Sequence, residues 1–126
     1  MNINYIYLIV IFQVLVSCNL SQKINNDYLP SQTTETITTL GDTLISPKLK
    51  EGKSLNQFKS AQKNYLKNID NAESLIWYGR RTAYLGYYQE AINLYTKGIK
   101  SYPNDPRFYR HRGHRHISTR QYDKAI

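Results

Sequence analysis

Slid forward by 34 positions, the stretch AESLIWYGRRTAYLGYYQEAINLYTKGIKSYPND (72–105) meets the rest of the chain in register. Five residues fall on themselves: Gly79 on Gly113, Arg81 on Arg115, Tyr88 on Tyr122, Ala91 on Ala125 and Ile92 on Ile126. Identity is low, but the type of position is kept. Small residues recur twelve apart, at Gly79 and Ala91 and again at Gly113 and Ala125. A glycine inside a helix costs about 1 kcal/mol against alanine, so its return at the same phase marks a close approach of two helices. A period of this length confines the chain to stacked units, each burying its apolar face on the next.

Within the unit, Ala91, Tyr95, Gly98, Ile99 and Tyr102 follow one helical stripe. YPNDP then breaks the chain, with Asp105 placed to cap a new helix and Pro106 at its first position, where a missing N–H costs nothing. Asp70 with Glu73 repeats this cap logic one unit earlier. Upstream, Leu55, Phe58, Ala61, Tyr65, Leu66 and Ile69 fall near one face of a helix over 54–70 that ends near Asn68, and Ser54 with Gln57 has the spacing of a capping box. Lys59, Lys63 and Lys67 recur on another face, which is read as solvated surface.

The order of a small-residue helix, GYYQEAI leading into a second helix, and a closing proline resembles the tetratricopeptide repeat. Gly79, Tyr88, Ala91, Tyr95 and Pro103 match its signature positions, while Leu75 stands where the family prefers Trp and Gly98 where it prefers Ala. The resemblance covers 72–126 and implies an all-α solenoid of helix-turn-helix units: repeat 1 over 72–105, and repeat 2 over 106–126. The helix at 54–70 covers the first unit, with Ala61 at the phase of Tyr95 and Ile69 at that of Pro103. Repeat 2 would be incomplete and the chain truncated five residues into a helix; a genuine short end is the alternative. IWYGRRTAYLG and RHRGH are also similar to repeat-bearing lipoproteins of Bacteroidota. The family's concave groove would carry Glu73, Ile76, Arg80, Ala83 and Tyr84 from one unit, and Arg107, Arg110, His114, Ile117 and Ser118 from the next. Arg80, Tyr84, Arg107, Arg110 and His114 are then the expected partner-binding residues, since arginine presents a planar fork suited to carboxylate or phosphate. The alternative is that such a helix exposes charge in any case. Arg112, Arg115 and Arg120 fall outside the groove phases.

The other end points to a membrane. An apolar run, Ile6 to Val16, has the length of a signal-peptide core and is shorter than the roughly twenty residues of a spanning helix. It ends in LVSC, which resembles a lipobox, and Cys18 is the chain's only cysteine. An odd cysteine in an exported chain calls for an explanation, and lipidation of Cys18 after removal of 1–17 supplies one. A plain secretory signal with an incidental thiol is the alternative. Residues 18–53, rich in Ser, Thr, Asn and Gln, read as a flexible tether, the alternative being a short hairpin around Gly41-Asp42. Removing 1–17 removes no charged side chain, so the net +8 stays with an exported, envelope-anchored protein that meets acidic peptides, anionic lipids or glycans.

The closing stretch RHRGHRHISTRQYDKAI concentrates four arginines and three histidines. His111, His114 and His116 stand at i, i+3 and i+5 with no flanking carboxylate, a poor zinc set. A nucleic-acid arm conflicts with the lipobox and has only Phe108 and Tyr109 as interleaved aromatics. No nucleophile motif, paired carboxylates or Gly-rich phosphate loop is present, so neither catalysis nor a cofactor is expected. The expected role is a membrane-anchored module binding a peptide or protein of acidic character, a scaffold or assembly factor of the bacterial envelope. The alternative is an accessory repeat module of a larger envelope enzyme or glycan-uptake complex.

Overall fold

Residues 28–38 and 40–125 are described by a computed structural model; residues 1–17, expected to form a signal peptide, and Cys18 lie outside them. The chain is mostly helical. Helix α1 spans Lys53–Lys67, α2 Ala72–Tyr84, α3 Tyr88–Ser101 and α4 Pro106–Ser118, followed by a single 3₁₀ turn, Tyr122–Lys124. Consecutive helices pack on one another, and α2 also touches α4. Before them stands an antiparallel hairpin, β1 (Thr34–Ile37) and β2 (Thr43–Ile45).

The backbone repeats with the period found in the side chains. α2 and α4 begin 34 residues apart and end 34 apart, as do the last residues of α1 and α3. Their caps keep step. Asn71 accepts from Ser74 N–H, and Asp105 accepts from Arg107 N–H. The exits from α2 and α4 match bond for bond: Tyr87 N–H to Thr82 C=O (3.3 Å) and Gly86 N–H to Ala83 C=O (3.0 Å), against Gln121 N–H to His116 C=O (2.9 Å) and Arg120 N–H to Ile117 C=O (3.0 Å). Both exits turn through a left-handed residue, Gly86 (φ 86°) and Arg120 (φ 56°), a conformation easy for glycine and costly for arginine.

The core runs along the helix seams. Leu55, Phe58 and Tyr65 of α1 meet Leu75, Ile76 and Tyr78 of α2, and Ala91 and Tyr95 of α3 join them to Phe108 of α4. Tyr65 stacks on Tyr78 (centroids 5.5 Å apart), and Tyr102 stacks on Phe108 (5.8 Å). The stripe read on α3 is the one that packs: Ala91, Tyr95 and Gly98 are buried. A Cβ on Gly79 would stand 2.6 Å from the Tyr95 ring, and one on Gly98 would stand 2.1 Å from the Phe108 ring. Glycine at 98, where the resembling family has alanine, thus makes room for Phe108.

Several expectations need correction. Ser54 does not cap α1. Gly52, at φ 140°, turns the chain into the helix before it, and Gln57 instead accepts from Arg81 (2.9 Å). The cap of α2 is Asn71 rather than Asp70, and Glu73 is occupied by the indole N–H of Trp77 (2.8 Å) and by Arg107. Ile69 is exposed beyond the end of α1, and the inward position on that helix belongs to Gln62, which donates to Tyr78 Oη and Tyr28 C=O.

The largest difference is the hairpin. Of the stretch read as a tether, residues 34–45 form the two strands and turn proposed as the alternative, so the chain is not wholly α. A bulge at Glu35 between the pairs Thr34–Ile45 and Thr36–Leu44 aims that side chain inward. There its carboxylate accepts from Gln89 N–H at the start of α3 (2.5 Å), an end for which Tyr87 provides no side-chain cap. Tyr87 Oη donates to Pro47 C=O (2.9 Å), Gln121 donates to Thr36 Oγ1, and Arg120 faces Asp42 (3.5 Å). The hairpin therefore spans both helix exits.

The glycine under Phe108 yields a test. Ala is the better helix former by about 1 kcal/mol, yet overpacking a filled core costs about 1–3 kcal/mol. Gly98→Ala should lower the urea midpoint, and adding Phe108→Leu should restore part of the loss. An increase in stability from Gly98→Ala alone would show that the ring does not rest on this residue.

Candidate functional site

The exposed faces of α2 and α4 lie side by side and carry a cluster of arginines, Arg80, Arg110, Arg112 and Arg115, that form no ion pair among the described residues. On α2, Glu73, Trp77, Arg80 and Tyr84 fall one turn apart in succession. The Arg80 guanidinium lies 4.2 Å from the centre of the Trp77 ring and donates to Tyr84 Oη (3.1 Å). An arginine stacked on an indole and held at its fork is pre-set in direction, which lowers the entropy lost when it binds. The Arg80 contact also pulls the Tyr84 phenol below its ordinary range.

On α4, Pro106 and the Asp105 cap start a helix that aims His111 and Arg115, one turn apart, toward the seam with α2 and α3. The His111 ring stacks on Tyr95 (centroids 5.5 Å, 25° between planes), and Arg115 lies over Tyr88 (5.6 Å). A cavity of about 210 Å³ opens between these helices, lined by Arg80, Tyr84, Tyr95, His111, His114 and Arg115. Tyr95 is 1 % exposed and closes its floor, and burial pushes its phenol well above the ordinary range. Tyr84 and His114 are exposed. Burial lowers His111 from an ordinary 6.5 to about 4, and Arg110, Arg80, His114 and Arg115 add to the effect.

The expected groove residues divide. Arg80, Tyr84 and His114 share the 210 Å³ cavity. Arg110 lines a neighbouring one of about 380 Å³, with His114, Arg112 and Ile117. Arg107 joins neither. Its guanidinium is engaged by Asp105 (2.7 Å) and Glu73 (2.5 Å), which hold it charged, and its hydrogen bond in turn holds the Asp105 carboxyl below its ordinary range. Ile76 is a core residue with little surface to offer, whereas Ala83, also buried, contributes to the lining of the 210 Å³ cavity.

Three lining residues, Tyr95, His111 and Arg115, lie outside the expected groove set. Arg115 sits one position past a groove phase, but its long side chain crosses Tyr88 and enters the cavity. His111 was weighed only as a metal ligand, although its spacing of four from Arg115 could have placed both on one face. Among the described residues, no three His, Cys, Asp or Glu side chains gather closely enough to hold a metal ion.

The depressed His111 makes stability depend on pH. Between about 4 and 6.5 the unfolded chain binds a proton at this position that the folded chain does not. Stability from this group is therefore complete above 6.5 and is lost as pH falls toward 4. The melting temperature should drop between pH 7 and 5, and His111→Asn should flatten that drop. An equally steep profile in the variant would place the dependence elsewhere.

Comparison of the chain with protein-family models, with curated proteins and with solved structures finds no match to any of them.

Proposed function

We propose that this chain is a membrane-anchored module of tetratricopeptide type that captures a peptide or protein partner of acidic character on the α2–α4 face, and that it acts as a scaffold or assembly factor of the bacterial envelope rather than as an enzyme. The observation that carries the binding surface is its charge. Arg80, Arg110, Arg112 and Arg115 project from adjacent helices, and none of them forms an ion pair among the described residues. The repeat reading is supported by the 34-residue recurrence of helix ends, caps and exit bonds. Anchoring rests on the apolar run 6–16 that ends at the lone Cys18. Attachment in this reading is through lipid on that cysteine; among the described residues no helix is long and apolar enough to cross a membrane.

Arg80→Ala, Arg110→Ala and Arg115→Ala together should weaken binding of an acidic test peptide by about tenfold or more, because bidentate arginine contacts exceed the worth of exposed charges. Replacing Lys59, Lys63 and Lys67 of α1 by Ala removes the same charge from a different face. Fluorescence anisotropy with both triples decides the matter, and equal losses would reduce the surface to a general positive field.

For the anchor, cells fed a fatty-acid analogue should label the natural chain and not Cys18→Ser. Label retained by the serine variant removes the lipoprotein reading.

A further inference from the structure

The cavity between Arg80 and Arg115 is floored by the buried Tyr95 and, like its neighbour at Arg110 and Arg112, is free of carboxylates. Its lining contains two guanidinium groups, two imidazoles and two phenols, and no Asp or Glu. Two other arginines are balanced by carboxylates, Arg107 by Asp105 and Glu73, and Arg120 by Asp42. Within the cavity the guanidinium groups are held instead by aromatic faces, Arg80 by Trp77 and Arg115 by Tyr88. Stacking orients their planes, and apart from the Arg80 donor spent on Tyr84 Oη it leaves N–H edges available.

We infer that this cavity is a binding site for a phosphate-type dianion, received by Arg80 from α2 and Arg115 and His114 from α4, with Tyr84 at its edge and His111 behind it. The number and directions of the donors select the ligand. One bidentate arginine satisfies a carboxylate, whereas two guanidinium groups and an imidazole converging from two helices suit a tetrahedral anion with more acceptor oxygens. Two negative charges offset two arginines that nothing else in the cavity offsets. The volume, about 210 Å³, admits such a group with part of its ester. This site lies on the face proposed for partner capture and shares Arg80 and Arg115 with it, so it rests on that reading of the surface; binding of phosphate without binding of an acidic peptide, or the reverse, separates the two.

His111 reports on occupancy. It faces Tyr95 of α3, Arg80 of α2, and Arg110, His114 and Arg115 of its own helix, and it is neutral at pH 7 because burial and the arginines around it oppose its proton. A dianion in the cavity reverses the local field, so binding should raise the His111 midpoint.

The experiment uses the full chain in neutral detergent. Affinity is measured with inorganic phosphate at pH 7, and the His111 midpoint is read by NMR with sulfate, which keeps both charges through the titration. The expected result is a rise of about one unit or more at His111, as an opposite charge at this range produces. Arg80→Gln with Arg115→Gln should weaken phosphate by about tenfold or more, while Arg112→Gln with Arg120→Gln, which removes equal charge, should change it little. Should the glutamine pair lose helicity, Arg80→Lys with Arg115→Lys keeps the charge and gives up the fork, and is expected to bind several-fold more weakly. Full affinity in the lysine pair, equal losses in the two glutamine pairs, or an unmoved His111 would each overturn the site. Vesicles containing phosphatidic acid, compared with neutral vesicles, separate the sources of the phosphate. Tighter binding than inorganic phosphate, with the same His111 rise, assigns a lipid headgroup; free phosphate alone assigns a soluble ligand. Vesicle binding without a His111 response is general attraction and overturns the proposal.

Discussion

On either side of α3, a glycine lies beneath an aromatic ring, and these two contacts set the spacing of the helices. Gly79 of α2 lies under Tyr95, and Gly98 of α3 lies under Phe108 of α4. With no Cβ in the way, the rings seat at the helix backbone rather than beside it, and the apolar seam continues from α1 to α4 without a gap. Everything on the far face follows from that seating. Tyr95 supplies the ring on which His111 stacks, so the packing that joins the helices also floors the basic cavity.

The helical part was legible because its signals are local and repeated. The stripe on α3, the Asp105–Pro106 start and the 34-residue shift each depend on residues a few positions apart, and each reappears in the backbone. Caps were harder to place, because several polar residues stand together at each helix start. Ser54, Asp70 and Asn71 are all capable, and backbone angles at Gly52 and Asn71 decide among them. The hairpin was legible only as an alternative. Its strands are short and polar, and what holds them is a set of distant partners, Gln89, Tyr87, Gln121 and Arg120, that no window of the sequence brings together.

The cationic face divided along a similar line. Family register places residues by the phase of their Cα atoms, which suits short side chains and fails for arginine, whose head group lies several ångströms from its own backbone. Arg107 has a groove phase yet turns back to its own cap and to Glu73, while Arg115 lacks that phase and enters the cavity. Charge balance is the better guide. An arginine with a carboxylate two residues before it is committed locally, and Arg80 and Arg115 have no acid nearby in sequence.

The hairpin's partners also fix an order of events. Glu35 meets Gln89 across 54 residues of chain, and Thr36 meets Gln121 across 85. The hairpin leaves the ribosome first, but its contacts exist only after α3 and the exit of α4 have formed. Closing loops of that length early would cost entropy with no surface to receive the strands. Residues 34–45 therefore dock last and release first.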